Sequence, residues 1–196
     1  MKKTIKWTIA VLCVLAVVVF WGVGVYNDLV SAQEEVESSW AQVENQYQRR
    51  ADLVPNLVAT VKGYAKHEQE TLDQVTEARA KATQITIDPA NATPQQLAAF
   101  QSAQGELTQA LGRLLAIAEN YPDLKANQNF LDLQQQLEGT ENRIAVARQL
   151  FNDSARAYNT GLRKFPRNII ASLFGFEKKP YFEAEQGAKT APKVEF

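Results

Sequence analysis

Two hydrophobic patterns divide the chain. Residues 7–25, WTIAVLCVLAVVVFWGVGV, are apolar without interruption by charge, and Thr8 supplies their one hydroxyl. From residue 26 to residue 165 the apolar positions recur at helical spacing instead, with no alternating stretch that reads as a strand. The first pattern predicts a transmembrane helix, since nineteen residues rise about 28 Å against a hydrocarbon core of roughly 30 Å. Trp7, Trp21 and Tyr26 stand where interfacial aromatics anchor such a span.

A cleaved signal peptide is the competing reading, with Gly22 and Gly24 before the cut, but this apolar stretch is about as long as signal peptides tolerate. Lipid attachment at Cys13 is disfavoured by the bulk of Leu12 before it and the apolar residues after it. Cys13 therefore reads as a small membrane-facing hydrophobe.

The second pattern predicts four helices. Leu29, Val36 and Val43 lie seven apart, interleaved with Trp40, Tyr47 and Val54, up to Pro55. Proline breaks or kinks a helix and disfavours helical geometry in the residue before it. One kinked helix of about 60 residues would reach roughly 90 Å and leave much of its stripe without partners. A tight reversal at residues 53–56 is therefore expected. A second stripe, Val58, Val61, Ala65, Leu72, Val75 and Ala82, ends at TQITID and Pro89. Thr93-Pro94-Gln95-Gln96 is a capping-box start for the third, which runs through Leu97, Phe100, Leu107, Leu111, Leu114 and Ala118. Tyr121-Pro122-Asp123 restarts the chain.

The fourth helix repeats Phe130, Leu137, Ile144, Phe151, Tyr158 and Phe165 every seven residues, beside the shrinking series Leu133, Thr140, Ala147, Ser154 and Gly161. Large residues next to small ones predict a close seam. Gly105 and Gly112 weaken the third helix by about 1 kcal/mol each, so close helix contact is expected there as compensation. The fold class is thus all-α: an N-terminal transmembrane helix followed by an antiparallel four-helix bundle.

Charge sets the orientation. Lys2, Lys3 and Lys6 precede the apolar run; Asp28, Glu34, Glu35 and Glu37 follow it, and no further cation comes before Arg49. The positive-inside rule puts the N-terminus in the cytoplasm and the helical part outside. A net charge of −1 argues against a nucleic-acid partner, and one cysteine excludes a disulfide framework and a cysteine-based zinc site.

Candidate chemistry is sparse. His67-Glu68 begins like a zinc-protease motif, but Thr71 stands where the second imidazole belongs. Tyr64, three before His67, breaks the di-iron pattern. Arg50 occupies the heptad position held by Leu29, Val36 and Val43, so its charge must be paired or reach water. Asp52, Glu44 and Glu68 are the partners considered. Arg50, Asp52, His67 and Glu68 form a polar rung that fixes register or, alternatively, contacts a ligand. Buried amides in the Asn-rich stretch 120–168 could add hydrogen bonds. No catalytic residue, metal or cofactor is predicted.

The motifs YNDLV (26–30), RRADLVPNLVATVKGYAKHE (49–68), AENYPDLKANQNFLDLQ (118–134), TENRIAVARQLFNDSARAYN (140–159) and FPRNIIASLFGF (165–176) together resemble the LemA family. The resemblance covers nearly all of residues 20–182. It implies a single-pass bacterial membrane protein with a four-helix soluble domain and no established activity; some members are linked to magnetosome membranes. The family's proposed topologies leave orientation open.

The expected organisation is a basic N-terminus (1–6), the span (7–25), the bundle (26–165), an apolar and aromatic segment (166–182) and a polar, disordered tail (183–196). In the segment FPRNIIASLFGFEKKPYF, Phe174, Phe176, Lys178 and Lys179 suit contact with a membrane surface, at about 1 kcal/mol per cation on anionic headgroups. Alternatively Ile169, Ile170, Phe174 and Phe176 fold back to close the end of the bundle. The function expected is that of a scaffold or interaction protein. Its partners are the lipid bilayer and membrane or envelope proteins, with a homo-oligomer as an option. A sensor of a small ligand or peptide is the alternative.

Overall fold

The computed structural model describes residues 2–65 and 67–183, with Lys2 and Lys3 described by backbone alone. Of the tail 183–196 only Glu183 falls within the described residues. These residues are all-helical and contain no strand. The elements are α1 (Lys2–Tyr64), α2 (Gln69–Gln84), α3 (Pro94–Ala118), the single turn α4 (Pro122–Lys125), α5 (Gln128–Arg163) and the short α6 (Arg167–Leu173).

The expected reversal at residues 53–56 does not occur. α1 is one helix of 63 residues with Pro55 inside it, and the chain reverses between α1 and α2 instead. Proline leaves the carbonyl four residues back without its amide. Here that oxygen, on Ala51, accepts a hydrogen bond from Arg79 Nε of α2 at 2.7 Å. A replacement donor from the neighbouring helix lets the helix pass through Pro55. The second stripe is accordingly shared, with Val61 and Ala65 at the end of α1 and Leu72, Val75 and Ala82 on α2.

The local start of α3 is as expected. Thr93 Oγ1 accepts from the Gln96 amide at 3.2 Å, and Gln96 Oε1 accepts from the Thr93 amide at 2.9 Å. α5 antiparallels α1: Asn127 donates to Tyr64 at 2.9 Å, Arg50 pairs with Glu141, and Trp40 packs on Phe151. Each step up α1 is a step back along α5. At the near end Ser39 and Ser154 share a 2.6 Å hydrogen bond, and the Cβ position of Gly161 lies 4.0 Å from Leu29. The small series on α5 thus does allow close approach.

Two expectations about packing are corrected. Gly105 and Gly112 have nothing within 4 Å of a Cβ position, so no close contact offsets them. Phe165, last of the heptad series, is exposed rather than core. α5 stops at Arg163, and Lys164 turns to extended backbone two residues before Pro166, so the heptad register ends before Phe165 is reached.

The core has two parts along the α1 axis. The proximal part gathers Leu29, Val36, Trp40 and Val43 with Phe100, Phe151 and Tyr158. Trp40 meets Phe100, Phe151 and Phe182 at centroid distances of 5.4, 5.5 and 5.8 Å; such pairs add about 0.5–1.5 kcal/mol each beyond their buried area. The distal part joins Val54, Leu57 and Val61 to α2, α3 and Phe130 and Leu137 of α5. α2, at 16 residues, is too short to line both halves. Ile87 from the α2–α3 connection and Phe182 from beyond α6 fill the proximal half in its place.

Candidate functional site

Arg50 marks the boundary between the two core halves. Its side chain is 1% exposed and is held by polar contacts from Gln104, Thr108 and Glu141. Nη1 donates to Glu141 Oε1 at 2.7 Å and to Thr108 Oγ1 at 2.8 Å. Nη2 donates to Gln104 Oε1 at 2.6 Å and to the Gln104 carbonyl at 3.2 Å. Gln104 Nε2 in turn donates to the Ala82 carbonyl at 3.1 Å. One polar layer therefore ties α5, α1, α3 and α2. The guanidinium also lies 5.1 Å from the Tyr47 ring centroid, and Nε has no hydrogen-bond partner.

The residues grouped with Arg50 from sequence are not brought together. Asp52 is exposed and accepts from Gln48 at 2.8 Å on the same helix. His67 is exposed between α1 and α2, and Glu68 accepts from the Tyr121 hydroxyl at 3.0 Å. Arg50's carboxylate is Glu141, from a helix 91 positions on, rather than Asp52, Glu44 or Glu68. An interhelical pair of this kind depends on register, which no local spacing reveals. Among the described residues no three His, Cys, Asp or Glu side chains gather as a metal-holding group.

The second polar arrangement holds the chain after α6. Residues 179–183 lie extended along α5 and α3, gripped by side-chain amides that each make two bonds to one backbone residue. Asn159 donates to the Lys179 carbonyl at 2.8 Å and accepts from its amide at 2.9 Å. Asn152 does the same to Phe182 at 3.0 and 2.8 Å, and Gln101 to Glu183 at 2.9 and 3.4 Å. The Asn-rich stretch thus supplies amide bonds that are buried at Asn159 and part-buried at Asn152, seven apart on α5. Lys179, expected to face a membrane, is buried and donates Nζ to the carbonyls of Pro89 and Ala90. Burial lowers its pKa, opposed by Glu37, Asp88 and Glu177.

Of the other residues of that segment, Phe174 and Lys178 are exposed, and Phe176 packs half-buried against Tyr26 at 5.6 Å. Ala171 and Phe182 join the proximal core. Trp7 and Trp21 are exposed on α1, while Tyr26 packs its ring against Phe174 and Phe176. Every side chain from residue 4 to residue 21 is exposed, and the N-terminal part of α1 is long and apolar enough to cross a membrane.

The model of the LemA family matches residues 39–196. The chain belongs to the LemA family. The LemA match begins on α1 at the level of Ser39, so it takes in the Arg50 layer, the amide-held segment and α6. Similar proteins extend further. Magnetosome protein MamQ 2 of Paramagnetospirillum magneticum is 28% identical over 92% of this chain and 73% of its own length. Magnetosome protein MamQ of Magnetospirillum gryphiswaldense is 28% identical over 84% and 67%. Protein LemA of Metamycoplasma hominis is 25% identical over 84% and 71%.

Proposed function

We propose that this LemA family member is a membrane-anchored helical scaffold, with residues 7–25 in the bilayer and α1, α2, α3 and α5 acting as one antiparallel four-helix bundle. The observation that supports it is the continuity of α1: the apolar run passes into the helical body without a linker. Similarity to magnetosome proteins fits a role at a membrane. Positive-inside charge favours an N-terminus in the cytoplasm and a body outside the inner membrane. A ligand sensor built on the Arg50 layer is the weaker reading, because Arg50's space is occupied by Gln104, Thr108 and Glu141. No catalytic step is proposed.

Scaffolding requires an outward face that holds another protein. A hollow of about 380 Å³ between α1 and α5 is lined by Gln46, Asn142, Val146 and Leu150 among others, with Val146 and Leu150 exposed. A photo-crosslinking amino acid at Val146 or Leu150, activated in native membranes and followed by mass spectrometry, should capture a defined envelope protein or a second copy. Lipid adducts alone, from these and from every other exposed face, overturn the scaffold reading.

A further inference from the structure

The membrane-proximal end of the body carries an apolar face that no described residue covers. Phe165, Ile169 and Leu173, spaced four apart, are exposed, with Phe174 beside them; Phe165 and Leu173 reach 80% and 73%. α6 is seated by its other side, through buried Ala171 and through Ile170, which packs on the proximal core.

Contacts with α1 fix the height of this face. Ile170 Cδ1 lies 3.7 Å from the Cβ position of Gly22. Arg167 donates to Asp28, and Tyr26 meets Phe174 edge-on at 4.9 Å. Gly22 is three residues short of Val25, where the apolar run ends, so this contact lies about 5 Å inside that end. Amphipathic segments at a bilayer surface bury their apolar side by about 5–10 Å. Around it Arg163, Lys164 and Lys178 are exposed, with Glu177 as the carboxylate of the same stretch. Arg167 is held by Asp28.

We propose that residues 163–178 form a second membrane contact, confined to the surface of one leaflet, in which Phe165, Ile169, Leu173 and Phe174 enter the acyl boundary beside α1. Arg163, Lys164 and Lys178 bind the phosphates of anionic lipid headgroups. The proposal rests on reading residues 7–25 as a span. Depth, charge and continuity with the apolar run favour lipid over a second copy as occupant: a second copy would bring like charges together.

The test uses the full chain carrying Cys13→Ala and a single new cysteine, Leu173→Cys, Leu15→Cys or Leu150→Cys. Each is labelled with an environment-sensitive fluorophore and reconstituted in phosphatidylcholine vesicles containing acyl-brominated lipid, with or without phosphatidylglycerol. Emission at 173 should be lost to the bromines to an extent comparable with 15, while 150 keeps its emission. Phosphatidylglycerol should deepen the loss at 173, and Arg163→Gln with Lys164→Gln should remove that gain alone. Emission at 173 matching 150 while 15 is quenched overturns the second contact and leaves the span standing. Emission retained at 15 overturns the span and this contact with it. A label at 173 shielded from both the bromines and aqueous iodide shows a protein cover, which also overturns it.

Discussion

Arg79 donates to the carbonyl of Ala51, the oxygen that Pro55 deprives of its helical amide. Ala51 is buried, so without Arg79 that carbonyl would be unpaired, at a cost of about 1–3 kcal/mol. Arg79 and Pro55 are therefore coupled although 24 positions separate them. Arg79→Met should destabilise the chain by about that amount, and much less when Pro55→Ala restores the amide. Denaturant unfolding of the four members of this cycle, in detergent micelles, measures the coupling. Equal losses from Arg79→Met with Pro55 and with Ala at 55 contradict it.

The Arg50 layer makes a graded prediction. Arg50→Met strands the Gln104 oxygen but leaves Glu141, whose side chain is 37% exposed, able to turn to water. Its expected cost is about 1–3 kcal/mol. Arg50→Glu buries a carboxylate beside Glu141 and should cost more, on the order of 3–5 kcal/mol. Equal unfolding midpoints for Arg, Met and Glu at this position would show a surface site.

Phe151 packs between Trp40 and Phe182 in the proximal core. Phe151→Ala should lose about 3–5 kcal/mol, read as a fall in Tm of many degrees. A fall of only a degree or two denies that the heptad seam is core.

Tyr158 gives a pH prediction. Its hydroxyl is buried and has no hydrogen-bond partner among the described residues. Burial pushes its pKa up from 10.0 to about 12, with Glu37 and Glu177 adding to the shift. The folded state then holds this proton at pH values where the unfolded chain has released it. Its contribution to stability is complete below pH 10 and falls as pH rises towards about 12. Lys179, whose pKa is lowered, runs the opposite way, so the comparison must be with Tyr158→Phe. That variant should be more stable by about 1–3 kcal/mol near neutrality and lose less between pH 10 and 12. A less stable variant would show that the hydroxyl has a partner.

Orientation is checked by fusion. Alkaline phosphatase placed after Phe196 should be active in a bacterial host, as the flanking lysines require. Activity of a cytoplasmic reporter at the same point reverses the topology.

What the sequence revealed was local or strictly periodic. The Thr93–Gln96 box closes within three residues, and Arg50's buried position follows from the heptad of Leu29, Val36 and Val43. What it concealed depends on distant register. Arg79 rescues Pro55 from another helix, and Glu141 reaches Arg50 across the seam. Phe165 continues the repeat in sequence after its helix has ended, and Lys179 looks like a surface cation until Asn159 draws its backbone inside.

On the proposed reading of residues 7–25 as a span, the unbroken α1 gives it leverage. Tyr64 stands 39 residues beyond Val25, about 58 Å further along one rod. A bilayer helix leans on average about 20°, so an inclination of that size carries the far tip sideways by about 20 Å. On that reading, inclination of the span becomes lateral displacement at the far end of α1. A flexible connection would have absorbed the same movement at the bilayer surface.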